Sequence, residues 1–183
     1  MNKLLLITGD LATGKSTFSE ILSRRYHTIV FTKDSIKEVL GDTIGFSNRE
    51  ENLKLSDATV GLMQLFFSGF AKLDMDLILE ANFHRKEVER LYEIADNYRY
   101  DVLVLELRGD LHILHERYLN RIYHENRHPV HLSTTCDIFE DFKEYVEAAR
   151  AEMIEGNIIH IRADDFSYQK DEKLLKKIDA FMG

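Results

Sequence analysis

The sequence predicts an α/β fold, in which a parallel β-sheet is covered by helices on both faces. Two observations carry this prediction. Short apolar runs alternate with longer segments of helical periodicity along the chain, and such alternation is typical of parallel sheets. The short runs are apolar at most positions, as expected for strands that are buried on both faces.

The elements follow from these patterns in chain order. The first predicted strand covers residues 3–8, and a helix at 17–26 follows with Phe18, Ile21 and Leu22 on one face. Further strands are predicted at 28–32, 77–81, 102–107 and 158–161, and further helices near 34–41, 50–73, 85–98, 110–124, 137–155 and 169–181. Ligands of parallel sheets bind at the carboxyl ends of the strands, so the residues after each strand are the candidates for a site.

Length and composition indicate one globular domain. The chain has 183 residues, of which 44% are hydrophobic and 31% charged. Its formal net charge of −8 argues against a nucleic-acid partner, because nucleic-acid-binding proteins usually carry a basic excess. Cys136 is alone, which excludes an intramolecular disulfide and fits a reducing compartment. The sequence has no secretory pattern and no apolar run of membrane-spanning length, so we expect a cytoplasmic protein without a membrane partner. It predicts no particular oligomeric state.

The segment after the first strand reads Gly-x4-Gly-Lys-Ser, from Gly9 to Ser16. Its glycines let successive backbone N–H groups point into one concavity, and the N-terminus of the next helix strengthens the attraction for an anion. Lys15 would reach the β- and γ-phosphates of a nucleotide, and the Ser16 hydroxyl would bind Mg²⁺. The strand before and the helix after disfavour the alternative of a glycine-rich turn without a ligand. We therefore predict a nucleotide-binding segment formed by Gly9, Asp10, Leu11, Ala12, Thr13, Gly14, Lys15, Ser16 and Thr17.

Polar residues follow the second and third strands. Asp34 is a candidate helix N-cap and also a candidate base for the proton of an attacking hydroxyl, and the two roles are compatible. Lys37, one turn later, would face the same cleft and hold an anionic or polar group, or else be an ordinary exposed lysine. Glu80 interrupts an apolar strand, where an unpaired carboxylate is costly, so we expect it to hold Mg²⁺ directly or through water. Asn82 shapes the turn or contacts substrate, and we favour the second role.

The densest basic cluster follows the fourth strand and contains Arg117, Arg121 and Arg127. Arg117 and Arg121 are four residues apart and share a helical face. Arginines on one side of a cleft are suited to clamp phosphates, because the planar guanidinium makes bidentate contacts and keeps its charge. The alternative is a solvated face paired with Glu116 and Glu125.

The same segment contains a His-Glu-x-x-His match from His124 to His128, the signature of zinc proteases. A zinc site of that kind needs one helix through both histidines, and Pro129 disfavours helical geometry at His128. We therefore expect no metal other than Mg²⁺.

Together these segments resemble the small P-loop kinases. The resemblance rests on the phosphate loop, Lys33-Asp34, the turn from Glu80 to Phe83, and the arginines up to Pro129. It is most similar to the branch with polynucleotide 5′-hydroxyl kinases, zeta-toxin-like sugar-nucleotide kinases and chloramphenicol phosphotransferases, which share an adenylate- and shikimate-kinase-like fold. The resemblance implies a three-layer P-loop NTPase domain over 1–183, with a five-stranded parallel sheet of order 2-3-1-4-5. It also implies an acceptor-binding helical region at about 34–73 and a helical lid at about 117–136.

Matched position by position, the resemblance implies ATP and Mg²⁺ as cofactors and a role for each matched residue. Arg117 would pack on adenine, and residues 163–165 would contact the base through their backbone. The implied catalytic residues are Lys15, Asp34, Arg121 and Arg127. The implied acceptor-side residues are Asp34, Lys37, Glu80 and Asn82, and the implied metal-binding residues are Ser16 and Glu80, with the dominant carboxylate left open between Asp34 and Glu80.

One position departs from the pattern. The polynucleotide kinases tend to have Arg-Asp-Asp after the second strand, where this chain has Lys33-Asp34-Ser35, which weakens the case for a polynucleotide acceptor. The sequence therefore predicts transfer of the γ-phosphoryl group of ATP to a hydroxyl of a small molecule, nucleoside or nucleotide. The alternative is an ATP-binding regulatory protein that hydrolyses nucleotide slowly.

Overall fold

The predicted strands form one sheet in the computed structural model, which describes residues 2–125, 127–132 and 136–183. The strands are β1 (Lys3–Gly9), β2 (Ile29–Thr32), β3 (Leu77–Glu80), β4 (Asp101–Arg108) and β5 (Ile158–Arg162). All neighbours are parallel, and the order is β2-β3-β1-β4-β5. The α/β class and the strand order 2-3-1-4-5 are therefore confirmed.

Helices connect the strands on both faces of this sheet. They are α1 (Lys15–Tyr26), α2 (Lys33–Ile44), α3 (Arg49–Ala71), α4 (Arg85–Tyr98), α5 (Leu111–His124), α6 (Phe139–Ala151) and α7 (Glu172–Met182). Short 3₁₀ helices cover Pro129–His131 and Ser167–Lys170. Among the residues described, no helix is both long enough and apolar enough to cross a bilayer.

Side-chain caps determine where several helices begin. The Thr32 hydroxyl accepts a hydrogen bond from the Ser35 amide at 3.2 Å and caps α2. Asp34 therefore lies in the first helical turn and is not the N-cap, which corrects one of its two sequence-based interpretations. Asp110 and Asp171 cap α5 and α7, and each accepts hydrogen bonds from two backbone amides of its helix.

Alternate residues of β1 pack into two hydrophobic cores, one on each face of the sheet. Leu4 and Leu6 pack with side chains of α3 and α4, whereas Leu5 and Ile7 pack with side chains of α1 and α7. Each of these four side chains is fully buried, and burial stabilises the fold by about 1.5–3 kcal/mol for each side chain of this size. The central strand is thereby fixed from both sides, and so is the loop that follows it.

A third apolar cluster joins α5 to α6 beside that loop. It contains Ala12 from the loop, Leu114 and Tyr118 from α5, and Phe142 and Val146 from α6. The two helices are therefore packed directly against the nucleotide-binding segment predicted from the sequence.

Candidate active site

The turn between β1 and α1 has a backbone that requires glycine at both ends. Gly9 has φ +123° and Gly14 has φ +88°, values that other residues rarely adopt. A Cβ on Gly9 would lie 2.0 Å from the Leu107 carbonyl oxygen, and one on Gly14 would lie 2.8 Å from the Phe166 ring. Strand, loop and helix follow one another as the motif predicts, with the helix beginning at Lys15.

Three contacts behind the loop fix its path. The Asp10 carboxylate accepts hydrogen bonds from the Gly109 amide at 3.1 Å and from two Arg150 nitrogens at 3.1 and 2.5 Å. The Tyr168 hydroxyl donates to the Thr13 carbonyl at 2.8 Å. The Asp10 side chain is therefore directed away from the cleft, and neither Gly9 nor Asp10 lines the cavity in front of the loop.

Lys15, Ser16 and Glu80 meet at the floor of the cleft. Glu80 pairs in register with Ile7 of β1, which places its carboxylate beside the loop, and the Ser16 hydroxyl donates to Glu80 Oε2 at 3.1 Å. The Lys15 ammonium donates to the Asp10 carbonyl at 2.5 Å and to the Gly9 carbonyl at 3.2 Å. Burial lowers the pKa of Lys15, which the negative charge of Glu80 opposes. Burial likewise raises the pKa of Glu80, against the effect of Lys15.

These residues open onto a cavity of about 1030 Å³. Loop residues 11–17 line one end, and the cavity extends from there between α2, α3, α5 and α6. It brings together, among the residues predicted from sequence, Lys15, Ser16, Asp34, Lys37, Glu80, Asn82, Arg117, Arg121 and Arg127. A cavity of this volume is large enough for a nucleotide and a second small molecule.

Asp34 lies in the first turn of α2 and lines the same cavity as the phosphate loop. Its side chain is about half exposed, with Arg127 Nη2 at 4.0 Å and His131 Nδ1 at 3.8 Å. His131 also reaches Glu38 Oε1 at 2.8 Å, one turn further along the same helix. Basic groups from 127–132 thus surround the carboxylate.

Lys37 is held by a buried amide. Its ammonium donates to Asn52 Oδ1 at 2.6 Å, and Asn52 Nδ2 donates to the Val130 carbonyl at 2.9 Å. Burial and the nearby Lys33 lower the pKa of Lys37, whereas Asp34 raises it.

The three arginines predicted as clamps line the cavity in different environments. Arg127 is largely buried, and this burial together with the charge of Arg121 lowers its pKa. Arg121 Nε lies 3.6 Å from Glu125. Arg117 donates to the carbonyls of Ala163 and Asp164, and its guanidinium carbon lies 4.4 Å from the centre of the Phe166 ring.

Sequence reasoning missed several residues of the site, namely Arg49, Asn52, Tyr145, Arg150 and Phe166. Phe166 follows the predicted base-contacting turn by one residue, so its position offered a signal. The zinc signature, in contrast, is not formed as a helical motif. Helix α5 ends at His124, and His128 beyond it contacts Asp42 at 2.9 Å.

Comparisons with known proteins bear on the fold. No protein-family model matches the chain. Two curated relatives match part of it: the 2′,3′-cyclic-nucleotide 3′-phosphodiesterases of Rattus norvegicus, at 27% identity over 107 residues, and of Mus musculus, at 25% identity over 107 residues. The match covers 56% of this chain and 23% of each relative, so the chain spans less than a quarter of their length.

Solved structures match nearly the whole chain. A provisionally assigned kinase from Chloroflexus aurantiacus superposes with a TM-score of 0.84 at 22% identity, over 98% of both chains. A shikimate kinase from Bacteroides thetaiotaomicron superposes with a TM-score of 0.63 at 13% identity, over 97% of both chains. The chain has the P-loop kinase fold. A sugar kinase from Janibacter sp. HTCC2649 shares this fold, with a TM-score of 0.67 at 14% identity over 98% of this chain and 95% of that one.

The P-loop kinase fold predicted from the resemblance is thus confirmed. At these identities the likeness concerns the fold, so the assignment of a function to the cleft rests on its residues.

Proposed function

We propose that this chain is an ATP-dependent phosphotransferase that moves the γ-phosphoryl group to a hydroxyl of a small molecule or nucleoside. One observation carries the proposal. The Lys15–Ser16–Glu80 cluster and the Asp34 carboxylate line the same cavity, so a phosphoryl donor and a hydroxyl acceptor can meet there.

The phosphate loop forms the donor half. Its backbone amides and the N-terminus of α1 favour the phosphates of ATP, and Lys15 adds a buried positive charge beside them. Arg117, together with residues 163–165, would position the adenine, because its guanidinium is fixed by two backbone carbonyls and by the Phe166 ring.

The residues at the floor fit a magnesium ion. A serine hydroxyl and a carboxylate are oxygen ligands of the kind that Mg²⁺ takes alongside water and phosphate, and Ser16 and Glu80 present such a pair at 3.1 Å. The ion would neutralise charge on the phosphates when bound. Because Ser16 contacts Glu80, we assign Glu80 as the metal-side carboxylate and leave Asp34 for the acceptor.

The transfer step needs one base and little other covalent chemistry. The acceptor oxygen forms a bond to the γ-phosphorus while the bond from that phosphorus to the β–γ bridging oxygen breaks. The hydroxyl proton moves to the Asp34 carboxylate, and ADP leaves with the bridging oxygen. Asn82 and Lys37 would orient the acceptor beside Asp34.

Arg121 and Arg127 would stabilise the transferred phosphoryl group, because both guanidinium groups line the cavity above the phosphate loop. We assign them to a lid at about 117–136, of which residues 126 and 133–135 lie outside the described part of the chain. The acceptor region would cover about 34–73, within a single domain over 1–183.

The first test identifies the acceptor. Labelled ATP is incubated with a panel of metabolites, nucleosides, antibiotics and oligonucleotides, and the product that gains phosphate is identified. Slow release of inorganic phosphate with no labelled product would contradict the kinase and favour the regulatory alternative.

The second test is Asp34→Asn, assayed with the acceptor that the panel identifies. Loss of a general base lowers turnover by roughly 10²- to 10⁴-fold, while the KM for ATP stays near the wild-type value. Asp96→Asn is the matched control, because Asp96 is exposed on α4 and does not line the cavity. Wild-type turnover in Asp34→Asn would remove Asp34 from the mechanism.

A further inference from the structure

The acceptor side of the cleft contains a lysine, Lys37, that forms no ion pair with any described residue. The Lys37 ammonium has a neutral partner, Asn52 Oδ1 at 2.6 Å, and no described carboxylate lies within ion-pair distance of it. The Lys33 ammonium on the same helix, in contrast, lies 3.6 Å from Glu87. Lys37 thus lines the cavity without an ion-pair partner among the described residues.

The position of this cation is fixed. Asn52 is 2% exposed, and its Nδ2 is committed to the Val130 carbonyl at 2.9 Å, so its oxygen faces Lys37. An ammonium has three donors, and Asn52 uses one of them. The others are left for a molecule in the cavity.

Two more donors line the same cavity. Arg49 on α3 and Tyr145 on α6 both line it, and neither has a described hydrogen-bond or ion-pair partner. Burial raises the pKa of the Tyr145 hydroxyl, which therefore stays protonated near neutral pH and able to donate. The described acids on this side are Asp34, which the proposed transfer uses, Glu87, which pairs with Lys33, and the exposed Asp57.

We propose that the acceptor carries, besides its reactive hydroxyl, an anionic group that binds to Lys37 with Arg49 and Tyr145. Asp34 and Lys37 lie one turn apart on α2, with Cβ atoms about 5–6 Å apart, so the hydroxyl and the anionic group are a few bonds apart in one small molecule. The acceptor class is a hydroxy acid or a phosphorylated polyol. This inference rests on the proposed function, since Asp34 supplies the position of the hydroxyl.

The experiment compares pairs of probes that differ in charge. These are glycerol with glycerate, sorbitol with gluconate, and ribose with ribose 5-phosphate. Phosphoryl transfer from ATP is measured for each, and so is direct binding by calorimetry in the presence of ADP. The carboxylate and phosphate pairs distinguish the two kinds of anion.

The matched variants are Lys37→Gln, Lys37→Arg and Lys54→Gln, the last being an exposed lysine on α3 paired with Glu50 at 2.9 Å. We expect the anionic member of at least one pair to have the higher kcat/KM. Lys37→Gln should reduce that preference by roughly ten- to a hundredfold, as expected for one lost hydrogen bond to a charged group. Lys37→Gln should lower the activity on the neutral member less than that on the anionic member and leave the KM for ATP near the wild-type value. Lys37→Arg should keep most of the preference, and Lys54→Gln should match the wild type.

The outcomes separate the two proposals. Transfer that favours the neutral members would overturn the proposed anion-binding role of Lys37 and leave the proposed kinase activity standing. The same holds if Lys37→Gln weakens transfer equally for both members of a pair. If no probe accepts phosphate, the calorimetric binding measurements test the proposal. Binding of an anionic probe that is lost in Lys37→Gln supports anion binding at Lys37, and equal or absent binding overturns it. If Lys37→Gln lowers the melting temperature, Lys37→Arg replaces it in the comparison with the wild type, because it retains the charge.

Discussion

The ion pair between Arg150 and Asp10 ties helix α6 to the phosphate loop, and Arg150→Ala tests how much it contributes. The Asp10 side chain is 3% exposed and the Arg150 side chain 26% exposed, with a shortest separation of 2.5 Å. Removing one partner of a fully buried pair costs about 3–5 kcal/mol. Because water reaches part of Arg150, we expect about 2–3 kcal/mol here, which lowers the melting temperature of a chain of this size by roughly 5–10 °C.

The pair also positions the site. Arg150 donates to the Gly109 carbonyl at 2.7 Å as well as to Asp10, so its loss frees both the loop after β1 and the turn after β4. Misplacement of the loop should lower kcat/KM for ATP by roughly ten- to a hundredfold. A lysine at this position would keep the charge but lose the planar fork of the guanidinium, so Arg150→Lys should recover part of each loss.

Calorimetric unfolding and steady-state kinetics measure the two effects. A double-mutant cycle with Asp10→Asn isolates the pair, and we expect a coupling energy of about 2 kcal/mol. Arg24→Ala is the control, because its pair with Glu20 is exposed at 3.7 Å and its removal should leave the melting temperature unchanged. Wild-type melting of Arg150→Ala, or a coupling energy near zero, would refute the role of the pair.

Two further predictions concern the donor half. Phe166→Ala removes the ring that supports Arg117 and should raise the Kd for ATP by about three- to tenfold, whereas Phe166→Tyr should not. Calorimetric titration measures both, and an unchanged Kd in Phe166→Ala would contradict the adenine assignment. Burial raises the pKa of Glu80, and the charged form, present above that pKa, is the one that attracts Mg²⁺. Magnesium-dependent ATP binding should therefore weaken as the pH falls through the raised pKa, and Glu80→Gln should lose this dependence; a parallel pH profile in the variant would exclude Glu80.

The sequence predicted the side chains that lie at the carboxyl ends of strands. Asp34 and the phosphate loop follow β2 and β1, and Glu80 is the last residue of β3, the strand between them in the sheet. Because carboxyl ends of parallel strands meet at one edge, knowing the strands was enough to bring these residues together. A local sequence pattern located each residue, and the strand order of the sheet placed them close together.

The residues that sequence reasoning missed depend on contacts between distant segments. Arg150 reaches Asp10 across 140 positions of the chain, and Asn52 reaches Val130 across 78. Each looks in sequence like an ordinary polar residue of an amphipathic helix. Only the docking of α6 and of 127–132 onto the rest of the fold gives them a partner, and no local pattern encodes that docking.

The distribution of charge in the cleft argues for an anionic occupant on both sides. The chain has a formal net charge of −8, yet it holds Lys15, Lys37 and Arg127 in this one cavity, and burial lowers the pKa of all three. A lowered pKa means that the fold alone destabilises these charges. Buried charges of this kind are common at functional sites, where a bound anion offsets the free-energy cost of burying them. ATP would do so for Lys15 and Arg127, whereas Lys37 lies one turn after Asp34 on α2, where the proposed acceptor would offset its cost.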